Sequence, residues 1–268
     1  MPRADRSRTT ATAAGARHGA RRGRRSRPTT VLLVRHGATE TTGRGLPGRA
    51  PGLHLSEEGR RQAEQVAARI AALAGLRPPT GDGSDGGEGG TAGGDGRWIP
   101  RRRSKGQAPP RVAAVYASPL ERTRETAEPI ARLLGLEVVP DEGLIELDVG
   151  EWTGMALDAA RKRKEWATIQ RYPSGFTFPG GESFLEMQAR ITGTLERLRV
   201  AHPGEVVVAV SHADPIRAAV AHAMGTHLDL FQRVVVSPCS VTAIAYGDEG
   251  PTVLTVNETG ATGALVPS

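Results

Sequence analysis

The sequence predicts an α/β fold, a three-layer sandwich with a mainly parallel central sheet flanked by helices. Three observations carry this reading. Short apolar runs at Val31–Val34, Val112–Tyr116 and Val206–Val210 look like strands buried on both faces. Helical stripes lie between them, with Ala63, Val66, Ile70 and Leu73 in one and Phe184, Met187, Ile191, Leu195 and Leu198 in another. Strand and helix alternate along the chain without an internal repeat, as in a sheet covered on both sides.

The 268 residues suit one large domain or two small ones, and a single domain over residues 29–268 is expected. Residues 1–28 carry nine Arg against one Asp, a net +8, whereas the whole chain is +6. The basic character therefore comes from this tail, which has hardly any apolar bulk and is expected to be disordered. It is Arg-rich and acid-poor like a transit peptide, but it lacks the apolar stretch of a secretory signal. No aromatics interleave its arginines, which disfavours a nucleic-acid partner. Residues 75–110 form a second low-complexity segment, rich in Gly and Asp and then basic at Arg101–Arg103. It falls between a helix and a strand and reads as a disordered surface insertion.

The first strand, Val31–Val34, runs into Arg35-His36-Gly37, where ligands of open α/β sheets sit. Gly43-Arg44-Gly45-Leu46-Pro47-Gly48 formally matches a dinucleotide fingerprint. It closes no strand directly and no spaced acid follows, so these glycines are expected to shape a loop over the site. Ser56 before Glu57 and Glu58 marks a helix start, and the helix should end near Gly75. The second strand runs into Ser118-Pro119-Leu120, and a helix follows from Arg122 to Leu134 with Pro129 as a kink point. A short strand is expected at Leu136–Val139. The third strand runs into Ser211-His212, followed by a helix at Ile216–Met224. Val241–Tyr246 and Thr252–Val256 read as closing strands around Gly247-Asp248-Glu249-Gly250. Cys239 is the sole cysteine, which excludes a disulfide framework and zinc-finger spacing and suits a buried small residue in a reducing cytoplasm. There is no transmembrane span.

Three strands thus each deliver Arg or His at their carboxyl ends. Arg35-His36-Gly37, Ser118-Pro119-Leu120 with Arg122 and Thr126, Gly181-Glu182-Ser183 and Ser211-His212 resemble the histidine phosphatase (phosphoglycerate mutase-like) superfamily. The motifs occur in that family's order from about Thr30 to about Val256, and the chain resembles actinobacterial phosphatase members of it. The resemblance implies that His36 is a nucleophile forming a phosphohistidine. Arg35, Arg122 and His212 would clamp the phosphoryl group. Leu144-Ile145-Glu146-Leu147-Asp148-Val149-Gly150 resembles the family segment that carries the acid, which places the acid at Glu146, with Asp148 as its neighbour and competitor.

The chemistry agrees with this assignment. A dianionic phosphate monoester needs cations and donors around its oxygens, and arginines match them in forked geometry. A histidine can attack phosphorus when the attacking nitrogen is unprotonated, and a carboxyl flanked by apolar residues can stay protonated near neutrality. Thr39 and Arg49 are candidate substrate contacts. Ala38 and Thr42 replace an acid and an asparagine common in the family, and Ala213-Asp214 replaces glycines after the second histidine.

The expected function is a metal-independent phosphomonoesterase acting on a small phosphorylated metabolite in the cytoplasm, with no cofactor and no membrane partner. The substrate and the oligomeric state stay open. A phosphoglycerate-type mutase and a catalytically silent phospholigand-binding module are the alternatives. A metallohydrolase built on His36, His212, Glu146 and Asp214 is disfavoured, because the tight ligand spacing is missing and two arginines would repel the cation.

Overall fold

The computed structural model describes residues 27–76 and 111–260. Apart from its last two residues, the expected basic tail lies outside the described residues, and so does nearly all of the expected insertion. In chain order the first elements are β1 (Thr29–Arg35), the short β2 (Gly45–Leu46), α1 (Glu57–Leu73), β3 (Val112–Ala117), α2 (Glu121–Leu134) and β4 (Val138–Pro140). Then come β5 (Met155–Ala156), α3 (Leu157–Arg161), α4 (Trp166–Arg171) and α5 (Phe184–Ala201). The chain closes with β6 (Val206–Ser211), α6 (Ala213–Ala223), β7 (Val241–Gly247) and β8 (Gly250–Glu258).

The main sheet has the order β4-β3-β6-β1-β7-β8. Its β4/β3, β3/β6 and β6/β1 pairs are parallel, while β7 and β8 close it as an antiparallel hairpin. The expected fold class is met. Side chains of β1 alternate between the two faces as a pleated strand requires. Val31 and Leu33 join α5, α6 and an aromatic group that includes Trp152, Phe176, Phe178 and Phe184. Leu32 and Val34 join the buried faces of α1 and α2. All four are essentially inaccessible to solvent, which is why the run lacks any polar alternation.

Several boundaries move. The expected strand at 136–139 forms at Val138–Pro140, because its ladder is set by pairing with β3. The expected helix 216–224 begins earlier, at Ala213, directly after His212. Pro129 lies inside a helix assigned without a break from Glu121 to Leu134. The glycine-containing loop 43–48 contributes β2, which pairs with β5, a ribbon too short to show any periodicity in the sequence.

The sheet order explains the convergence of the motifs. β3, β6 and β1 are neighbours in the middle of the sheet and run the same way. Arg35 is paired with Ser211 and Ala117 with Val210. His36, Ser118 and His212 therefore leave the sheet side by side at its carboxyl end.

Candidate active site

His36 is buried, with its backbone N–H donating to the Ser211 carbonyl at 3.0 Å. Its ring Nδ1 lies 2.7 Å from the Gly37 carbonyl. A carbonyl only accepts, so Nδ1 carries the proton and Nε2 holds a free lone pair. Burial, followed by the nearby charges of Arg122 and Arg35, holds the imidazole well below the usual histidine range. The ring is neutral at physiological pH.

The Gly37 turn is held from two sides. The Gly37 N–H donates to Thr126 Oγ1 at 3.0 Å, and that hydroxyl donates to the Arg122 carbonyl at 2.7 Å. The first turn of α1 packs so closely that a Cβ on Gly37 would lie 2.5 Å from the Gly59 carbonyl oxygen. Ser56 caps this helix as expected, accepting from the Gly59 N–H at 3.1 Å while its own hydroxyl donates to the Ala38 carbonyl.

His212 is fully buried, its ring centroid 5.2 Å from that of His36. Its Nε2 lies 2.9 Å from Ser118 Oγ, and the Leu120 N–H donates to the same hydroxyl at 3.5 Å. A hydroxyl has one proton and two lone pairs, so the direction of this bond follows the tautomer of the His212 ring. Nδ1 has no hydrogen-bond partner and lies 3.8 Å from Glu146 Oε2.

Arg122 is inaccessible to solvent although it is charged. Its Nη2 donates to the Gly48 carbonyl at 2.9 Å, while Nε and Nη1 are buried without partners. Arg35 donates from Nη1 to the Val236 carbonyl at 2.7 Å, and its Nε is likewise unpartnered. Neither guanidinium is hydrogen-bonded to a carboxylate among the described residues.

Glu146 lines the same cleft, its side chain 17% exposed. Burial, reinforced by the charge of Asp214, pushes its carboxyl up to about 7 against the pull of Arg122. Asp148 is oriented differently. It accepts from the Gly150 N–H at 2.9 Å, lies 3.5 Å from Arg49 Nη1, and does not line the cleft. Of the two acids, Glu146 lines the cleft and Asp148 does not.

Thr39 lines the cleft beside Thr41 and Thr42, with its hydroxyl 3.2 and 3.1 Å from theirs. Arg49 is engaged elsewhere. It donates to the Glu146 carbonyl at 2.8 Å and to Glu182 at 2.9 Å, so it supports the acid's backbone and its side chain does not line the cleft.

Arg190 on α5 completes this support, and sequence reasoning missed it. It forms a forked pair with Glu182 at 2.9 and 2.8 Å and donates to the carbonyls of Gly143 and Ile145. Its position within a helical stripe carries no signal of this. Asp214, named as a departure from the family pattern and in the disfavoured metal reading, lines the cleft. Among the described residues no group of three or more His, Cys, Asp or Glu is placed to hold a metal ion. Cys239 is buried as expected, and its thiol is pushed up to about 12 by that burial. Its N–H donates to the Arg35 carbonyl at 3.0 Å, bracing the turn from below.

The model of the histidine phosphatase superfamily (branch 1) matches residues 31–77 and 101–259. The chain belongs to the histidine phosphatase superfamily. This is the expected family.

A bifunctional protein of Mycobacterium tuberculosis is 31% identical over 246 residues, covering 89% of this chain and 56% of that protein. The chain therefore spans a little over half the length of this relative. Phosphoserine phosphatase 1 of Hydrogenobacter thermophilus is 33% identical over 147 residues, 54% of this chain and 70% of that protein. Among solved structures, a phosphoserine phosphatase from Entamoeba histolytica superposes with a TM-score of 0.66 at 20% identity, covering 86% of this chain and 98% of that one. At that identity the likeness is one of fold. No helix among the described residues is long and apolar enough to cross a membrane.

Proposed function

We propose that the chain is a phosphomonoesterase that hydrolyses a small phosphorylated metabolite through a phosphohistidine on His36, with no metal in the reaction. One observation carries this reading. Arg122 is a fully buried cation with two unpartnered nitrogens, and Arg35, whose charge like that of Arg122 bears on His36, has a third. Burying a charge without an anionic partner is costly, so such a site is built for an anion. Phosphoryl oxygens would accept from Arg122 and Arg35, and from His212 in the tautomer that carries its proton on the unpartnered Nδ1, and the same donors stabilise the charge of the transition state. The phosphatases among the relatives and structural neighbours support the same reading.

In the first half-reaction His36 Nε2 attacks phosphorus as the ester P–O bond breaks, and Glu146 gives its proton to the departing oxygen. In the second, water attacks the phosphohistidine, the Glu146 carboxylate takes a proton from that water, and the P–N bond breaks to release inorganic phosphate. A neutral imidazole and a carboxyl titrating near 7 are in the states this sequence needs.

The test is His36→Ala. Turnover should be abolished while the denaturation midpoint stays close to that of the parent. Rapid mixing of the parent with substrate and an alkaline quench should trap an acid-labile phosphoryl group on His36. Normal turnover by the variant would end the proposal.

A further inference from the structure

Arg35 and His36 line the cleft, whereas Arg122 and His212 are fully buried and do not; the rest of the lining is what can meet the leaving group. The cleft encloses about 570 Å³ including its open mouth. Its charged lining consists of Arg35, Glu146 and Asp214, together with the neutral His36. Arg35 belongs to the clamp, so no cation among the described residues that line the cleft is left for a second anionic group. Arg49, the nearest alternative, is held by Glu182 and Asp148. Arg44 faces an adjoining depression with Glu40, Glu57 and Glu58.

Beyond Arg35, His36, Glu146 and Asp214 the lining is uncharged. Thr39, Thr41 and Thr42 present three clustered hydroxyls, each able to donate or accept. Leu46, Pro47 and Val149 add apolar surface beside them. Asp214 stands at the edge. One of its oxygens accepts from Arg217 at 2.9 Å, and Arg217 also donates to the Val234 carbonyl but does not line the cleft.

Taking the cleft as a phosphomonoesterase site, we propose that its leaving-group side accepts an uncharged, hydroxyl-rich alcohol such as a sugar or polyol, and selects against phosphates that carry a carboxylate. A carboxylate entering here would face the Asp214 carboxylate, with Glu146 protonated beside it and only the clamp's Arg35 as a cation on the lining, and like-charge juxtaposition costs enough to set specificity. Sugar hydroxyls would exchange water for the threonine cluster, with carbon-bound faces against the apolar residues. This separates the chain from a phosphoglycerate-type mutase and from phosphoserine-type substrates.

The test uses matched esters on the purified full chain. Glycerol 3-phosphate and 3-phosphoglycerate differ only in a hydroxymethyl against a carboxylate. The expected kcat/KM ratio is about tenfold or more in favour of glycerol 3-phosphate, with hexose 6-phosphates at least as good. Asp214→Asn should narrow the ratio, and the ratio cancels any effect of this substitution on the shared phosphoryl chemistry. Thr41→Val should lower turnover of glycerol 3-phosphate more than that of nitrophenyl phosphate. A ratio near one, a preference for 3-phosphoglycerate or phosphoserine, or a ratio insensitive to Asp214→Asn would overturn the inference. Nitrophenyl phosphate distinguishes the two levels. If it is hydrolysed while the carboxylated ester is preferred, only the specificity fails. If no ester is hydrolysed, the phosphomonoesterase reading fails and the inference falls with it.

Discussion

Glu146 shows how one side chain ties stability to chemistry. Its carboxyl is raised from 4.5 to about 7, chiefly by burial. A folded pKa above the unfolded one means that folding favours the neutral form. That contribution is complete below about 4.5 and is lost as the pH rises through about 7, at no more than about 1.4 kcal/mol per pH unit. Glu146→Gln keeps the neutral shape and cannot ionise. The variant should match the parent near pH 4 and become the more stable of the two by pH 8, as followed by urea midpoints. A gap that does not grow between those pH values would show that Glu146 is already ionised. In catalysis the same substitution should slow phosphorylation of His36 by alkyl phosphates about 10²–10⁴-fold. Nitrophenyl phosphate, which expels a stabilised phenolate, should suffer much less. Equal losses in that step would remove Glu146 from the acid role.

At the scale of elements, the acid's segment is irregular backbone between β4 and β5, and no ladder holds it. Glu182 substitutes for a ladder by binding Arg190 and Arg49, which together donate to the carbonyls of Gly143, Ile145 and Glu146. The Glu182 and Arg190 side chains are 13% and 20% exposed, so little water can replace the lost partner. Glu182→Gln should cost about 3 kcal/mol and lower kcat more than it raises KM, with alkyl esters affected most. A kcat unchanged at full folding would limit Glu182 to stability alone. The contact between β1 and α1 is equally strict. A Cβ at Gly59 would lie 2.0 Å from the Ala38 carbonyl oxygen, with backbone on both sides of the contact. Gly59→Ala should therefore destabilise by about 1–3 kcal/mol and displace the turn that carries His36. Denaturant midpoints and turnover should fall together.

For the whole molecule, the sheet places three motif-bearing strand ends side by side. Residues 1–26 and 78–108 are poor in the side chains that build cores. We propose that the folded unit begins near Pro28, so that removing 1–26 and shortening 78–108 should leave the melting temperature and catalytic rate nearly unchanged. Loop-closure entropy changes slowly with length, which keeps the cost of the shorter connection small. A large loss of turnover would mean that one of these segments contributes to the cleft.

Sequence alone determined what short-range physics writes into a chain. The unbroken apolar runs announced strands buried on both faces, Ser56 announced its cap, and the ordered motifs named His36, Arg35, Arg122, His212 and Glu146. Only the tertiary structure decided which groups face each other. Arg49 was expected at the substrate and instead supports the Glu146 backbone; Arg190, unmarked in its helical stripe, does the same from α5. That Glu146 lines the cleft and Asp148 does not depends on which carboxylate the surrounding loops turn inward, and two acids two residues apart do not encode that locally. The same holds for Gly59, whose need for a missing side chain arises from a loop twenty residues earlier in the chain packing against it. Such contacts come from long-range packing, and no periodicity or cap in the sequence records them.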